Sequence, residues 1–235
     1  MKKTKIIELE VIDSTNEFCK RFNFEEDVIV VAQKQAKGKG TNGREFVSEE
    51  GGLYVSFLRR LPDFDYKNTF SIMINACVAV CRTVESFGLK PSVKWANDVL
   101  VDGRKICGTL IENRLGADNV CTSIVGIGIN VNNVLPDDLK EIATTMSEQK
   151  GGKKLSVKRI RRRLVKYLKK QYDVNDYKKY CDWFGQEVYL DSNGQRTEAI
   201  ALDVDADGSL VCEIKGQIKK ISSAEMSLRL KCKSI

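Results

Sequence analysis

Residues 35–44 read QAKGKGTNGR, which sets Gly38, Gly40 and Gly43 among Lys37, Lys39 and Arg44. Glycines let a backbone approach a ligand closely and aim N–H groups at it, and the three cations add positive charge to the same segment. The chemistry this loop suits is capture of a phosphate or carboxylate. A surface hairpin is the competing reading, and the loop alone does not choose between them. It is neither a GxxxxGK[ST] phosphate loop nor a Rossmann turn opening a helix. In a second segment, VKWANDV at 93–99, Lys94 stands among apolar strand residues. If it turns inward, its ammonium group must meet a negative charge; if outward, it lies on the solvent side of an edge strand. Gly108, and Gly126 and Gly128 in VGIGIN, interrupt apolar strand patterns, which marks places where another group lies against the backbone. Asn130 closes that last run, while Ser14-Thr15-Asn16 read first as a helix cap and second as hydrogen-bonding contacts.

Composition narrows the chemistry further. Among 235 residues there is no histidine, which removes Ser-His-Asp and Cys-His nucleophile sites, HExxH metalloproteases and any imidazole shuttle. The net charge is +7, from 39 Lys and Arg against 32 Asp and Glu, a balance that suits anionic ligands. Eight cysteines are scattered without a CxxC pair, so the expectation is reduced, buried thiols in a cytoplasmic protein and no structural zinc site; no metal ligands are identified. Met1–Lys5 is followed by Glu8 and Glu10 rather than by an apolar signal segment, and no stretch approaches the ~18 apolar residues of a membrane span.

These residues need elements to hold them. The patterning predicts a strand over 6–12 and a capping box at Ser14 and Glu17 opening a short helix to Phe22. A continuous apolar run at 28–32 reads as a strand buried on both faces. Further strands are expected at 53–58, 92–95, 99–101, 106–112 and 120–131, with Asp102-Gly103 as a hairpin turn. A long helix is expected over 70–87, ending at Gly88, and others from Ser156 and over 177–184. Beyond 187, turn signals at Asn193-Gly194, Asp207-Gly208 and Lys215-Gly216 indicate a small antiparallel unit. The expected fold class is α+β, with units 1–184 and 185–235. The helix 156–170 carries Lys158, Arg159, Arg161, Arg162, Arg163, Lys166 and Lys169 beside a stripe of Val157, Ile160, Leu164 and Leu168. A nucleic-acid groove binder would use such a face. With only Tyr167 interleaved, it reads instead as a solvated face able to attract an acidic partner.

Taken in order, the segments resemble the biotin–protein ligases over nearly the whole chain. Ser14-Thr15-Asn16 comes first, then Gln35–Arg44 for the family's Q-x-x-GRGRxGR loop. Lys94-Trp95-Ala96-Asn97-Asp98 stands for KWPND, followed by Gly103-Arg104-Lys105 with Gly108, and by Gly126–Asn130. The resemblance implies a mixed β-sheet catalytic domain backed by helices, of class II synthetase type, with a small C-terminal SH3-like β-barrel. It implies ATP, with Mg2+, as the cofactor and biotin as the substrate. Biotinyl-5′-AMP forms first, and biotin then passes to one lysine of a biotin carboxyl carrier domain of a carboxylase or decarboxylase. Carried over position by position, Lys94 and Arg44 serve catalysis. Ser14, Thr15, Asn16, Gln35, Lys39, Gly40, Thr41, Lys94 and Gly108 hold biotin. Lys39, Arg44, Lys94, Asn97 and Asn130 hold the nucleotide. The chain departs from the pattern at Lys39 and Thr41, where the family has arginines, and at Ala96 and Phe46, where it has proline and tryptophan. Only thirteen residues precede Ser14, too few for the helix-turn-helix of repressor-type members, so the expected partners include neither DNA nor membrane. Oligomeric state, a homodimer included, is left open. Lipoate–protein ligase or octanoyl transferase is the neighbouring alternative, and a nucleic-acid-binding module the alternative of another class.

Overall fold

The computed structural model describes residues 5–22, 24, 26–62, 64, 69–115, 120–192, 195–222 and 227–230. The basic start before Lys5, the Asn193-Gly194 turn and Cys232 lie outside the described residues.

The strand Val28–Gln35 (β2) organises the larger sheet, and its apolar run is buried on both faces as expected. Alternation divides its side chains. Val28 and Val30 meet Cys19, Leu58 and Ile124 on one face, while Ile29 and Val31 enter the main core on the other. Around it lie β1 (Lys5–Ile12), β3 (Leu53–Leu61), β4 (Pro91–Lys94), β5 (Asp98–Val101), β6 (Arg104–Leu115) and β7 (Cys121–Ile129). Their order is β1-β2-β3-β7-β6-β5-β4. The pair β1–β2 is parallel and the others are antiparallel, so the sheet is mixed. The expected Asp102-Gly103 hairpin joins β5 to β6, with both residues at positive φ (49° and 74°), the geometry that a two-residue turn of matching twist requires.

Helix α1 (Thr15–Arg21) covers the Val28/Val30 face and α2 (Thr69–Glu85) the opposite one. The apolar character of α2 on nearly every side follows from its position, since α3 (Val157–Leu168) and α4 (Val174–Lys178) cover its outer surface. Two local expectations are corrected. Ser14 caps α1, but Glu17 does not complete a capping box, because its carboxylate is taken by Lys20 and Lys39, while the Ser14 N–H donates to Asp13. The helix expected at 177–184 forms instead at Val174–Lys178, because Asp173 and Asp176 build a reciprocal capping box four residues earlier.

The C-terminal strands β8 (Glu187–Ser192), β9 (Gln195–Val204), β10 (Leu210–Ile214), β11 (Gln217–Ile221) and β12 (Ser227–Leu230) form an antiparallel sheet ordered β11-β10-β9-β8-β12. Among the described residues no pairing between β11 and β12 closes it into a barrel. This sheet shares one hydrophobic core with the larger one, from Ile29 through to Leu228. The buried indole of Trp95 donates to the carbonyl of Gly208 at 3.0 Å, and that of Trp183 to Val93 at 2.6 Å. Among the described residues, no helix is long and apolar enough to cross a membrane.

Candidate active site

The floor of the site is built from absent side chains. In the β6–β7 ladder Gly108 lies opposite Gly128, and Leu110 opposite Gly126. A Cβ on Gly128 would stand 2.6 Å from the Phe46 ring, and one on Gly126 would stand 2.4 Å from Asn16 Oδ1. One on Gly108 would meet Lys105 Nζ at 3.0 Å and the Phe46 ring at 3.3 Å. The sheet is thus bare where other groups must reach it. Above this floor, on the α1 face, opens a cleft of about 800 Å³, a size that accommodates drug- or nucleotide-sized molecules.

One end is neutral and densely hydrogen-bonded. The N–H and hydroxyl of Thr15 donate to Gln35 Oε1 at 2.8 and 3.0 Å, and Gln35 Nε2 donates to Ser48. Buried Ser56 Oγ lies 2.7 Å from Thr15 Oγ1 and 2.5 Å from Asn16 Oδ1, while Asn16 Nδ2 donates to Glu112 at 2.8 Å. Ser14, Thr15 and Asn16 are all buried, so the caps of a short helix also line a cavity.

At the centre Lys94 does turn inward, and its partner is Asp98. The carboxylate holds Lys94 Nζ at 3.0 Å and Lys105 Nζ at 2.6 Å. Burial pushes the Asp98 carboxyl up, but the Lys105 and Lys94 ammonium groups more than offset it and hold the group below its usual value. Two cations share one anion, so the trio presents net positive charge to the cleft. Asn97 clamps this corner: its Nδ2 donates to the Thr109 carbonyl at 2.7 Å, and its own carbonyl accepts from Thr109 N–H. Asn130 is buried beside it, and its Oδ1 accepts from Asn133. Beyond lies an apolar shelf of Leu100, Leu135, Leu139, Ile142 and Ala143.

The glycine-rich loop forms the rim. Gly40 N–H donates to the Arg44 carbonyl and Phe46 N–H to that of Gly38, which folds the loop back on itself. Arg44 reaches Thr41 Oγ1 at 3.2 Å, and Lys39 is committed to Glu17 at 2.7 Å. The residues to which the resemblance gives biotin, nucleotide or catalytic roles therefore line one cleft, with Lys39 and Arg44 on its rim and engaged with neighbours, whereas Lys37, Gly38 and Gly43 of the same loop do not line it. Sequence reasoning did not assign Asp98, Lys105, Phe46 or Ser56, nor Trp183, Gln186 and Arg229, which wall the cleft from the C-terminal side. Lys94 alone signalled a buried anion nearby; the distant wall had no sequence signal. Cys107 under the floor is a core residue, with its thiol pushed well above its usual value by burial. All seven described cysteines are buried. Among the described residues, no three Cys, Asp or Glu gather where they could hold a metal.

Residues 8–130 match the Biotin/lipoate A/B protein ligase family, and residues 184–229 match the Biotin protein ligase C terminal domain. The chain belongs to the biotin–protein ligases. In Bacillus subtilis, a curated relative named Bifunctional ligase/repressor BirA is 34% identical over 223 residues, spanning 88% of this chain and 67% of its own. A Biotin--[acetyl-CoA-carboxylase] ligase of Mycobacterium tuberculosis is 26% identical, spanning 85% of this chain and 78% of its own. Among solved structures, the biotin protein ligase from Aquifex aeolicus in complex with biotin and ATP superimposes with a TM-score of 0.79 at 32% identity, covering 97% of this chain and all of that one. As a biotin–protein ligase the protein is an enzyme, and its mixed α+β architecture is that of those structures.

Proposed function

We propose that this cleft condenses biotin with ATP to biotinyl-5′-AMP and pyrophosphate, then passes the biotinyl group to one lysine of a biotin carboxyl carrier domain, releasing AMP. The observation that carries this reading is the paired-lysine centre, Lys94–Asp98–Lys105, between a neutral polar end and an apolar shelf. Biotin's carboxylate is ionised at neutral pH and needs no general base to attack the α-phosphorus. What opposes the step is repulsion between two anions, which a fixed ammonium group in a cleft sheltered from water offsets. Lys94 fills that role; Arg44 and Lys39 add charge from the rim as the loop closes, which requires the Lys39–Glu17 pair to open.

The ureido ring of biotin offers N–H donors and a carbonyl acceptor, and Ser14, Thr15, Asn16 and Gln35 supply complementary uncharged groups. Gly40 and Thr41 cover the vitamin, and Gly108 lets it lie close to the strand. Asn97 and Asn130 border the shelf, where a flat base fits. Among the described residues no three acidic side chains gather to hold a metal, so a Mg2+ ion would be held by the nucleotide rather than by this chain and would offset phosphate charge there. In the second step the acceptor amine attacks the anhydride carbonyl. The bond to the phosphate oxygen breaks, AMP leaves with the electron pair, and the amine's proton passes to water. Residues 1–184 then serve as the catalytic unit and 185–235 as its wall, in a cytoplasmic enzyme.

Incubation with ATP, Mg2+ and biotin, followed by mass analysis, should show the bound adenylate; pyrophosphate release with lipoate but not biotin would favour the lipoate branch of the family. Two variants sharpen the reading. Gly126→Ala pushes the Asn16 amide out of its seat. It should raise the KM for biotin about tenfold, or ~1.4 kcal/mol, and leave that for ATP within twofold. Thr41→Arg restores a cation on the rim, and one charge-assisted hydrogen bond of ~1.5 kcal/mol should slow adenylate release about tenfold, read by off-rate.

A further inference from the structure

The strongest charge on the molecule lies outside the cleft. Residues 150–170 hold eleven of the 39 Lys and Arg and none of the 32 Asp and Glu, which leaves 28 cations against 32 anions in the rest of the chain. Within this segment Lys153, Lys154, Lys158, Arg162, Lys166 and Lys169 are exposed. Among the described residues only Arg161 of the segment has an acidic partner, Glu8 on β1. The apolar stripe of α3 is used up: Ile160 and Leu164 are buried against α2. Since α2 covers the sheet face opposite the cleft, this cationic surface looks away from the reaction, where a carrier domain seated at the cleft mouth would not reach it.

Against the expectation of a solvated face with no DNA partner, we propose that this face binds the phosphate backbone of nucleic acid, independently of the ligase reaction. The row Lys158, Arg162 and Lys166 repeats every ~6 Å along the helix axis and continues to Lys169, which demands an extended polyanion rather than a single small ion. An interface for an acidic protein would centre on an apolar or aromatic anchor, and none is exposed here: Phe87 and Tyr167 are covered by Arg159 and Lys170. Insertion into a lipid surface needs a free apolar stripe, and that of α3 is buried. Phosphate contacts by Lys and Arg without base-reading groups give binding that is sequence-independent and steeply salt-sensitive.

The test is fluorescence anisotropy of the full chain with a labelled mixed-sequence duplex DNA, titrated with potassium chloride. The affinity should fall as at least the fourth power of salt concentration. The quadruple variant Lys158→Ala, Arg162→Ala, Lys166→Ala, Lys169→Ala should lower that exponent by about one per cation removed. Its affinity in low salt should fall at least tenfold, with adenylate formation unchanged, while the variant pair Lys158→Arg, Lys166→Arg should bind as the parent does. Binding that the quadruple variant retains would overturn the proposal. So would displacement of the duplex by polyglutamate, or by vesicles containing phosphatidylserine, as readily as by unlabelled DNA.

Discussion

Replacing Lys94 by alanine should lower the rate of biotinyl-adenylate formation by about a thousandfold while the chain stays folded. A single preorganised group facing developing or crowded negative charge in a sheltered site contributes about 10²–10³ in rate. Lys94 is the residue whose ammonium group is both inward and fixed, held 3.0 Å from Asp98. Its loss leaves Asp98 paired with Lys105 at 2.6 Å, so no unpaired buried carboxylate results and the fold has little reason to fail. Single-turnover pyrophosphate release, with a melting curve as control, separates the two effects. Lys105→Ala should cost less, because Lys105 also lies over the Phe46 ring and has less freedom to face a substrate. A Lys94→Ala enzyme within tenfold of the parent would remove the central electrostatic argument.

Asp98→Ala should be the more damaging change to stability, by about 3 kcal/mol, because it strips two largely enclosed ammonium groups of their shared counter-charge. The side chains of Lys94 and Lys105 are only 19% and 32% exposed, so water replaces the carboxylate poorly. For a chain of this length the loss corresponds to a melting temperature lower by roughly 10 °C. The same trio sets a pH dependence. Burial raises the Asp98 pKa, Lys105 and Lys94 lower it by more, and the folded-state value lies below the ordinary 3.8. A carboxyl depressed on folding stabilises fully above its unfolded value and loses that contribution as pH falls through the folded one. Stability measured from pH 5 downward should therefore decline below about pH 4, and Asp98→Asn should lack that part of the decline. An unchanged acid limb in Asp98→Asn would show that the carboxylate is not held by its neighbours.

Much of this arrangement is legible in the residues themselves, for reasons that also mark where legibility stops. The apolar run at 28–32 required burial on both faces, and Asp102-Gly103 required a tight hairpin; each is a local constraint satisfied locally. The interrupting glycines pointed to a bare patch of strand, because nothing else justifies their cost. What could not be read depends on register between distant segments. Asp98 stood in view beside Lys94, yet its role arises because β5 pairs with β6 so that Lys105 converges on the same carboxylate. Phe46 reaches the floor only because the loop folds back over Gly108 and Gly128. Ser14 and Glu17 had the spacing of a capping box, and competition from two lysines unmade half of it. The expectation of a helix over 177–184 took no account of Asp173 and Asp176, whose reciprocal capping box starts α4 at Val174 instead.

The indole hydrogen bond from Trp95 to Gly208 joins the residue directly after Lys94 to the turn between β9 and β10. The tail strands therefore do not form a detachable appendage; they serve as a gunsight for the cation. A change at Gly208, 113 positions from Trp95 along the chain, should therefore reach the aim of the neighbouring ammonium group through this one hydrogen bond, and with it the precision of the chemistry at the centre.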